Sequence, residues 1–487
     1  MKKKSIIREG KVVGLNFPNK GIVQTDDGIC VVKNTIPGQT VSFFSKRKRA
    51  GVPQGVLVDI IEKSVIETLE GCRHFRTCGG CVYQTVPIEE EDALKEKMVK
   101  DILASVVSNF PESAAEGYFE DIVSSPVHSS YRNKMEFSFG DMVKGGEMCL
   151  GMHVTGHFND VVTVDDCNIA EADMVEILKA TLDFAKKTGL PFLNKRSHEG
   201  YFRHLLVRKG RYTGEILVDL VTTSQFEPDL NEYVKSLNGL KLEGEIVGIL
   251  NTLNNSLGDA VINEDTRILY GRDHFYDEIL GLKFRINPFS FFQTNTLGAE
   301  VLYKKVREFA GELNVNTLFD LYCGTGTITQ LMADCAKNVV GVELVEEAVE
   351  AAKINAENNG LHNIKFLAGD VGEILSNLEE LPDMIIVDPP REGMTPKALE
   401  KVVSYGVKNI VYVSCKITSL ARDLPEFFKA GYSLKRAVPV NMFPRTTGVE
   451  TVTLLINQNA KAKHHVRVGI DAEDYYRIKD SEKKEDE

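Results

Sequence analysis

Ten residues, 318–327, restrict the fold more than any other stretch of the chain: Leu-Phe-Asp-Leu-Tyr-Cys-Gly-Thr-Gly-Thr. An apolar strand signal runs into Asp320, and two glycines follow it before residues 328–336, which read as a helix. Glycine lets backbone turn sharply and lie close to a ligand, so this is a strand-to-helix turn of the ligand-binding kind. Further strand signals stand at 338–342, 364–368, 384–387 and 409–413, separated by amphipathic sequence of helix length. Such alternation predicts an α/β domain built on a parallel, doubly wound sheet.

What is missing from the turn narrows its ligand. Gly324-Thr325-Gly326 begins like a dinucleotide fingerprint, but Thr329 occupies the third glycine position, and the chain has no Gly-Lys-Ser/Thr phosphate loop. A diphosphate is therefore disfavoured. Glu343 ends the next strand, where a doubly wound fold sets an acid on ribose hydroxyls. A nucleoside cofactor without a diphosphate, such as S-adenosylmethionine, fits best. Glycines at such a turn are often purely structural. Glu343, Asp370 and the Asp388-Pro389-Pro390-Arg391 stretch add weight, because all fall at strand ends on one sheet edge.

At 487 residues the chain needs two to four domains and has ample core. No apolar run reaches the roughly 18 residues that span a membrane, and the Met-Lys-Lys-Lys-Ser start leads into no signal-peptide apolar region, so a soluble cytoplasmic protein is expected. Nine cysteines without a small secreted framework point to metal binding or catalysis rather than disulfides. A net charge of −12 argues against indiscriminate coating of nucleic acid. Residues 1–60 nevertheless hold eleven Lys or Arg against four Asp or Glu, a local excess that suits phosphates.

In that segment short Val- and Ile-rich runs alternate with turn signals, which predicts a small β-barrel over residues 1–62. Barrels of the OB type bind nucleic acid on one face, and Lys46-Arg47-Lys48-Arg49 would supply backbone contacts; a solvated loop is the plain alternative. Next come Cys72, Cys78 and Cys81 within ten residues, among glycines, a strong metal signal. The natural fourth ligand is Cys167, while Cys30 and Cys149 lie in strand-like runs. The residues themselves leave iron–sulfur and zinc open. Residues 87–107 read as an amphipathic helix whose acidic first turn suits the helix dipole, and the stretch between Tyr131 and Asn287 turns strand-rich around a helix at 170–188. Tyr131-Arg132-Asn133-Lys134 combines two cations and an aromatic, useful for a nucleotide or simply a solvated strand face.

Near the end, Ser414-Cys415 closes a strand before a helix from Ile417, a position where the helix dipole stabilises a thiolate nucleophile, although free cysteines are mostly buried and inert. Glu450 follows Phe443-Pro444-Arg445-Thr446-Thr447-Gly448-Val449 and reads as a base or as a surface carboxylate.

Taken together, these motifs resemble the RNA (uracil-5-)-methyltransferase family, and especially its large-subunit ribosomal RNA members. The resemblance covers nearly the whole chain: the basic barrel (TRAM-like), the cysteine segment, Tyr131 to Lys134, Phe291-Phe292-Gln293-Thr294-Asn295, the glycine turn, Asp388 to Arg391, Ser414-Cys415 and Phe443 to Glu450. It implies a [4Fe-4S] cluster on Cys72, Cys78, Cys81 and Cys167. It implies an S-adenosylmethionine site lined by Gln293, Tyr322, Glu343 and Asp388, with Cys415 as nucleophile and Glu450 as general base. It divides the chain into a barrel at 1–62, a central domain at 63–285, a methyltransferase domain at 286–458 and a charged tail at 459–487. The expected activity is 5-methyluridine formation in 23S ribosomal RNA by a monomer, since tRNA members typically lack barrel and cysteines. A tRNA enzyme is the near alternative, and a non-catalytic RNA-binding protein with structural zinc the distant one. The Cys72-x5-Cys78-x2-Cys81 spacing does not match the C-x3-C-x2-C of radical methylases. Two positions depart from the family pattern: Lys416-Ile417 replaces the usual Asn-Pro after the nucleophile, and Gly448 replaces a frequent His before the base.

Overall fold

The computed structural model describes residues 7–311, 315–377 and 382–460. From residue 461 on, the segment read as a charged tail lies outside them. Strands β1 (Ile7–Asn16), β2 (Lys20–Thr25), β3 (Gly28–Lys33), β4 (Thr40–Arg49) and β5 (Val52–Glu62) close into a barrel in the order β1-β2-β3-β5-β4. Alternation sets its inside: Val12, Val23, Cys30, Val32, Val41 and Phe43 form the barrel core. Lys46, Lys48 and Arg49 at the end of β4 are exposed.

The chain then runs through the cysteine segment to helix α1 (Ile88–Val107) and the two-residue strand β6 (Val123–Ser124). The sequence assigns both to a central domain, but the structure packs them on the C-terminal eight-stranded sheet. Val99 and Leu103 of α1 join that sheet's core, and β6 pairs in parallel with its edge. The helix presents its apolar side to the nearest uncovered sheet face, and sequence order does not constrain which sheet that is.

The central domain is one seven-stranded sheet. It holds β7 (Lys134–Asp141), β8 (Met148–Val154), β9 (His157–Thr163), β10 (Phe202–Lys209), β11 (Glu215–Thr222), β12 (Glu245–Leu253) and β13 (Asp265–Gly271) in the order β13-β12-β11-β10-β7-β8-β9. Helices α2 (Ala172–Thr188) and α3 (Asn231–Asn238) cover one face. Leu217 and Leu250 on the other face join the hairpin β14 (Phe275–Ile279) and β15 (Leu282–Ile286) in the catalytic core.

After α4 (Thr296–Gly311) the eight-stranded sheet begins. Strands β16 (Val315–Leu321), β17 (Ala336–Glu343), β18 (Ile364–Ala368), β19 (Met384–Val387) and β20 (Asn409–Ser414) run parallel; β21 (Tyr432–Asn441) and β22 (Glu450–Asn457) form the antiparallel end. The order is β18-β17-β16-β19-β20-β22-β21-β6, with α5 (Thr327–Leu331), α6 (Glu346–Asn358), α7 (Val371–Asn377), α8 (Pro396–Ser404) and α9 (Ile417–Lys429) as connections. The order reverses beside β16, which leaves a crevice at the carboxyl ends of β16 and β19. One predicted helix is shorter than its sequence suggests. α5 stops at Leu331 because outside donors take its carbonyls: Arg307 Nη1 donates to Leu331 O and Asn363 Nδ2 to Ala333 O.

Candidate active site

The glycine turn sits at the head of that crevice. Tyr322, Gly324 and Gly326 have φ of 67°, 55° and 75°, and the N–H groups of Tyr322 and Cys323 both donate to Val342 O. Gly326 is required twice over, because a Cβ there would lie 2.7 Å from the Phe366 ring. Gly324 N–H donates to Glu343 Oε2 and Val345 N–H to Glu343 Oε1, each at 3.0 Å. Two main-chain donors thus fix the Glu343 carboxylate and leave lone pairs for a further donor. Thr329, at the position of the missing third glycine, gives its hydroxyl to Asp320 Oδ2 at 2.5 Å. The other oxygen of Asp320 is buried without a hydrogen-bond partner.

A loop from outside the sheet covers the turn. Thr325 Oγ1 donates to Phe291 O at 3.0 Å, and the exposed Phe291 ring would lie 3.7 Å from a Cβ on Gly324. Half-buried Gln293 lies two residues on. Asn133 Nδ2 donates to Gln293 O at 2.9 Å and to Thr296 Oγ1 at 2.8 Å, while the buried Arg208 gives Nη1 to the carbonyls of Asn287, Pro288 and Ser290. In the Tyr131 to Lys134 stretch the two residues outside the cation reading are therefore the structural ones. Asn133 braces the Gln293 loop, and buried Tyr131 donates its hydroxyl to Pro444 O at 2.8 Å.

Asp388 follows β19, Cys415 follows β20 and Glu450 opens β22, three adjacent strands. Burial, then the nearby Asp388, pushes the Glu450 carboxyl up to about 8, with Arg391 opposing. Burial raises Asp388 and Asp320 to about 7, and the Thr329 hydrogen bond offsets part of the shift at Asp320. The Cys415 thiol is pushed up to about 11 by burial, then by Glu450 and Asp388. Sequence reasoning expects a helix N-terminus to lower this thiol. Before substrate enters, burial and two acids outweigh the dipole. Tyr322, at the turn, is raised to about 12 by burial and then by Asp370 and Asp423.

Sequence reasoning missed Tyr303. This α4 residue is 3% exposed, and its hydroxyl is raised by burial and then by Asp388, with Gln293 as hydrogen-bond partner. Nothing local marks it, since it reads as one more position on the apolar face of α4.

The four cysteines converge. The electrostatic surroundings of Cys81 include Cys167, Cys78 and Cys72, and burial pushes Cys78 up to about 11 and Cys81 to about 12. Each sulfur has an N–H donor. His74 N–H reaches Cys72 Sγ, Gly80 N–H reaches Cys78 Sγ and Gln84 Nε2 reaches Cys81 Sγ, all at 3.4 Å, and the N–H groups of Ala170 and Ile169 serve Cys167. Among the described residues no three His, Cys, Asp or Glu side chains are gathered as the ligands of a single metal ion. Cys30 is buried in the barrel core and Cys149 lies on β8. Also among the described residues, no helix is long and apolar enough to cross a membrane.

The family model for tRNA (uracil-5-)-methyltransferases matches residues 91–458. An RNA methyltransferase of Clostridium tetani is 43% identical over 452 residues, which is 92% of this chain and 98% of that one. One of Caldanaerobacter subterraneus subsp. tengcongensis is 44% identical over 445 residues, 91% of this chain and 97% of its own. The crystal structure of Pyrococcus abyssi tRNA (uracil-54, C5)-methyltransferase in complex with S-adenosyl-L-homocysteine is similar at TM-score 0.72 and 25% identity, covering 92% of this chain and 99% of that one. With the family model spanning most of the chain and these relatives matching it nearly end to end, the chain belongs to the tRNA (uracil-5-)-methyltransferase family and is an S-adenosylmethionine-dependent RNA methyltransferase.

Proposed function

We propose that the protein methylates C5 of an unpaired uridine in 23S ribosomal RNA, with Cys415 as nucleophile and Glu450 as general base. The observation that carries this reading is the meeting of one thiol and one buried carboxyl on adjacent strand ends, beside the glycine turn. The cofactor site fits S-adenosylmethionine: Glu343, held by two main-chain N–H groups, would accept the ribose hydroxyls, and Gln293, Tyr322 and Asp388 would line the rest. That cofactor would supply an electrophilic methyl group, the S–CH3 bonding pair staying on sulfur as the departing thioether.

Cys415, as thiolate, forms a bond to C6 of the uracil, and the electron pair of the C5–C6 double bond moves onto C5 and O4. C5 takes the methyl group. The Glu450 carboxylate then removes the C5 proton, and the freed electron pair restores the double bond and expels the thiolate. A carboxyl held near neutral pH suits this task better than an ordinary one, because its conjugate base is stronger. Arg391, the cation that opposes the acids at both Cys415 and Glu450, favours the thiolate. A base stacked and paired in a helix offers neither face nor proton, so the target is unpaired or flipped out.

Cys72, Cys78, Cys81 and Cys167 would hold a [4Fe-4S] cluster. In support, every sulfur has an N–H donor of the kind that stabilises a bound thiolate. No step of the reaction uses this group. The barrel, with its exposed Lys46, Lys48 and Arg49, would act as a TRAM-like RNA contact. The same reading has a monomer at work in the cytoplasm. A tRNA substrate is the second reading, favoured by the likeness to the Pyrococcus abyssi enzyme. The test is transfer of labelled methyl into separated ribosomal and transfer RNA from cells lacking the gene, with the labelled nucleotide mapped. Label in 23S RNA at 5-methyluridine supports the proposal, and label confined to tRNA replaces it with the second reading.

A further inference from the structure

The loop that brings Glu450 to the site is held by parts of the chain more than three hundred residues away. Between β21 and β22 the backbone at Arg445 takes φ of 70°, a conformation that residues with side chains rarely adopt. Three sets of contacts fix it there. Its N–H donates to both carboxylate oxygens of Glu91, at 2.9 and 3.0 Å. Its carbonyl accepts the N–H groups of Val82 and Tyr83, at 2.8 and 3.1 Å, immediately after Cys81. Its guanidinium donates to Val86 O at 2.5 Å.

The same support extends on either side. Glu91 pairs with Lys95 at 2.8 Å, both side chains being 0% exposed, and Lys95 Nζ also donates to Asn441 Oδ1 at 2.7 Å and Phe443 O at 3.3 Å. From Arg445 the loop reaches Glu450 through one short turn, in which Thr446 Oγ1 donates to Phe443 O and Gly448 N–H to Thr446 Oγ1. A buried ion pair costs desolvation, and a left-handed non-glycine residue costs strain. Both persist where the surroundings over-determine them, and such strain clusters at functional sites.

We propose that Arg445 is a positioning residue that couples the cysteine segment to the base, so that the order of the segment around Cys81 sets the aim of Glu450. The inference rests on the reading of Glu450 as the base that removes the C5 proton. Cys415 stands on the β20–α9 junction, and none of the hydrogen bonds that hold Arg445 reaches it. Loosening the clamp therefore spares bond formation at C6 and slows proton removal, and the methylated covalent intermediate persists.

The test uses the full-length enzyme and the RNA that accepts label in the assay above, in ordinary and 5-fluorouridine forms. Arg445→Gly keeps both main-chain contacts, relieves the φ strain and removes the side chain, with its bond to Val86 O and its 3.6 Å ion pair to Glu91. Turnover should fall by about tenfold or more, the worth of one charge-assisted hydrogen bond. The fluorinated RNA should still form its denaturant-stable adduct at near wild-type rate, and ordinary RNA should now leave a retained adduct. Arg445→Lys should recover part of the turnover and carries the same comparison should the glycine variant not fold. Turnover and fluorinated adduct falling together, or turnover unchanged, would overturn the positioning role. Glu450→Gln run alongside separates the two ideas: trapping by Glu450→Gln without trapping by Arg445→Gly overturns the clamp alone, and no trapping by Glu450→Gln overturns the base assignment beneath it.

Discussion

Two groups of buried charge in this protein are partnered in opposite ways. At α1, Glu91 is buried with Lys95, and its oxygens also accept Arg445 N–H and Asn441 Nδ2, so the charge is fully partnered. At the sheet edge, Asp320 has the Thr329 hydroxyl on one oxygen and nothing on the other, and Glu450 is buried with Asp388 nearby. The first arrangement holds its charges fixed and builds a scaffold. The second leaves acids that titrate near neutral pH and can exchange protons during a reaction. Burial alone does not separate structure from chemistry; the partners do.

The comparison breaks most visibly at the thiol. Cys415→Ala should reduce turnover to background and abolish the fluorouridine adduct while leaving cofactor binding intact, as read on a denaturing gel and by calorimetry. A persistent adduct would move the nucleophile elsewhere. Next in size is the scaffold. Lys95→Met leaves the buried Glu91 with only the more distant Arg445 guanidinium, at 3.6 Å, as counter-charge, which should cost about 3 kcal/mol in denaturant unfolding. Glu91→Gln in the same chain should recover part of that loss, because no unpaired charge remains.

The working acids predict the opposite sign. Glu450 ordinarily titrates near 4.5 and is held at about 8 in the fold, so between those values the folded protein binds more protons than the unfolded chain. Stability therefore falls as pH rises through this window, and the whole cost is present above it. Glu450→Gln should stabilise the protein by on the order of 3 kcal/mol at pH 9, with little gain at pH 4.5. A variant less stable than wild type at pH 9 would mean that unseen partners satisfy the carboxylate. The smallest effect belongs to the cofactor side. Glu343→Ala removes an acceptor fixed by two N–H groups, and cofactor binding should weaken by roughly ten- to hundredfold, about 1–3 kcal/mol. Unchanged affinity in calorimetry would remove Glu343 from the site.

Local pattern made the sheet edge legible. The glycine turn, the strand ending in Glu343 and the thiol after β20 are each announced by a few consecutive residues, because strand, turn and helix chemistry act over that range. The cysteine segment is legible for the same reason, and α1 begins and ends within a residue of its predicted span. The scaffold was not legible. Glu91 reads as an acid suited to a helix dipole, yet its partners Asn441 and Arg445 lie 350 and 354 residues away. Tyr303 and Asn133 were hidden likewise, since each acts through contacts that only tertiary packing creates. The shortened α5 and the attachment of α1 and β6 to the catalytic sheet have the same origin: donors and apolar faces supplied from afar decide them.

The central claim, that Glu450 is buried beside Asp388 so that it can take a proton, is tested most directly by Glu450→Gln on ordinary RNA. The amide is nearly isosteric but accepts no proton, and loss of a general base is typically worth about 10²–10⁴ in rate. The account predicts a slowed enzyme that accumulates a methylated, denaturant-stable RNA adduct, which disappears when Cys415→Ala is added to the same chain. Turnover near the wild-type rate with no retained RNA would contradict it, and Asp388 would become the next carboxylate to examine.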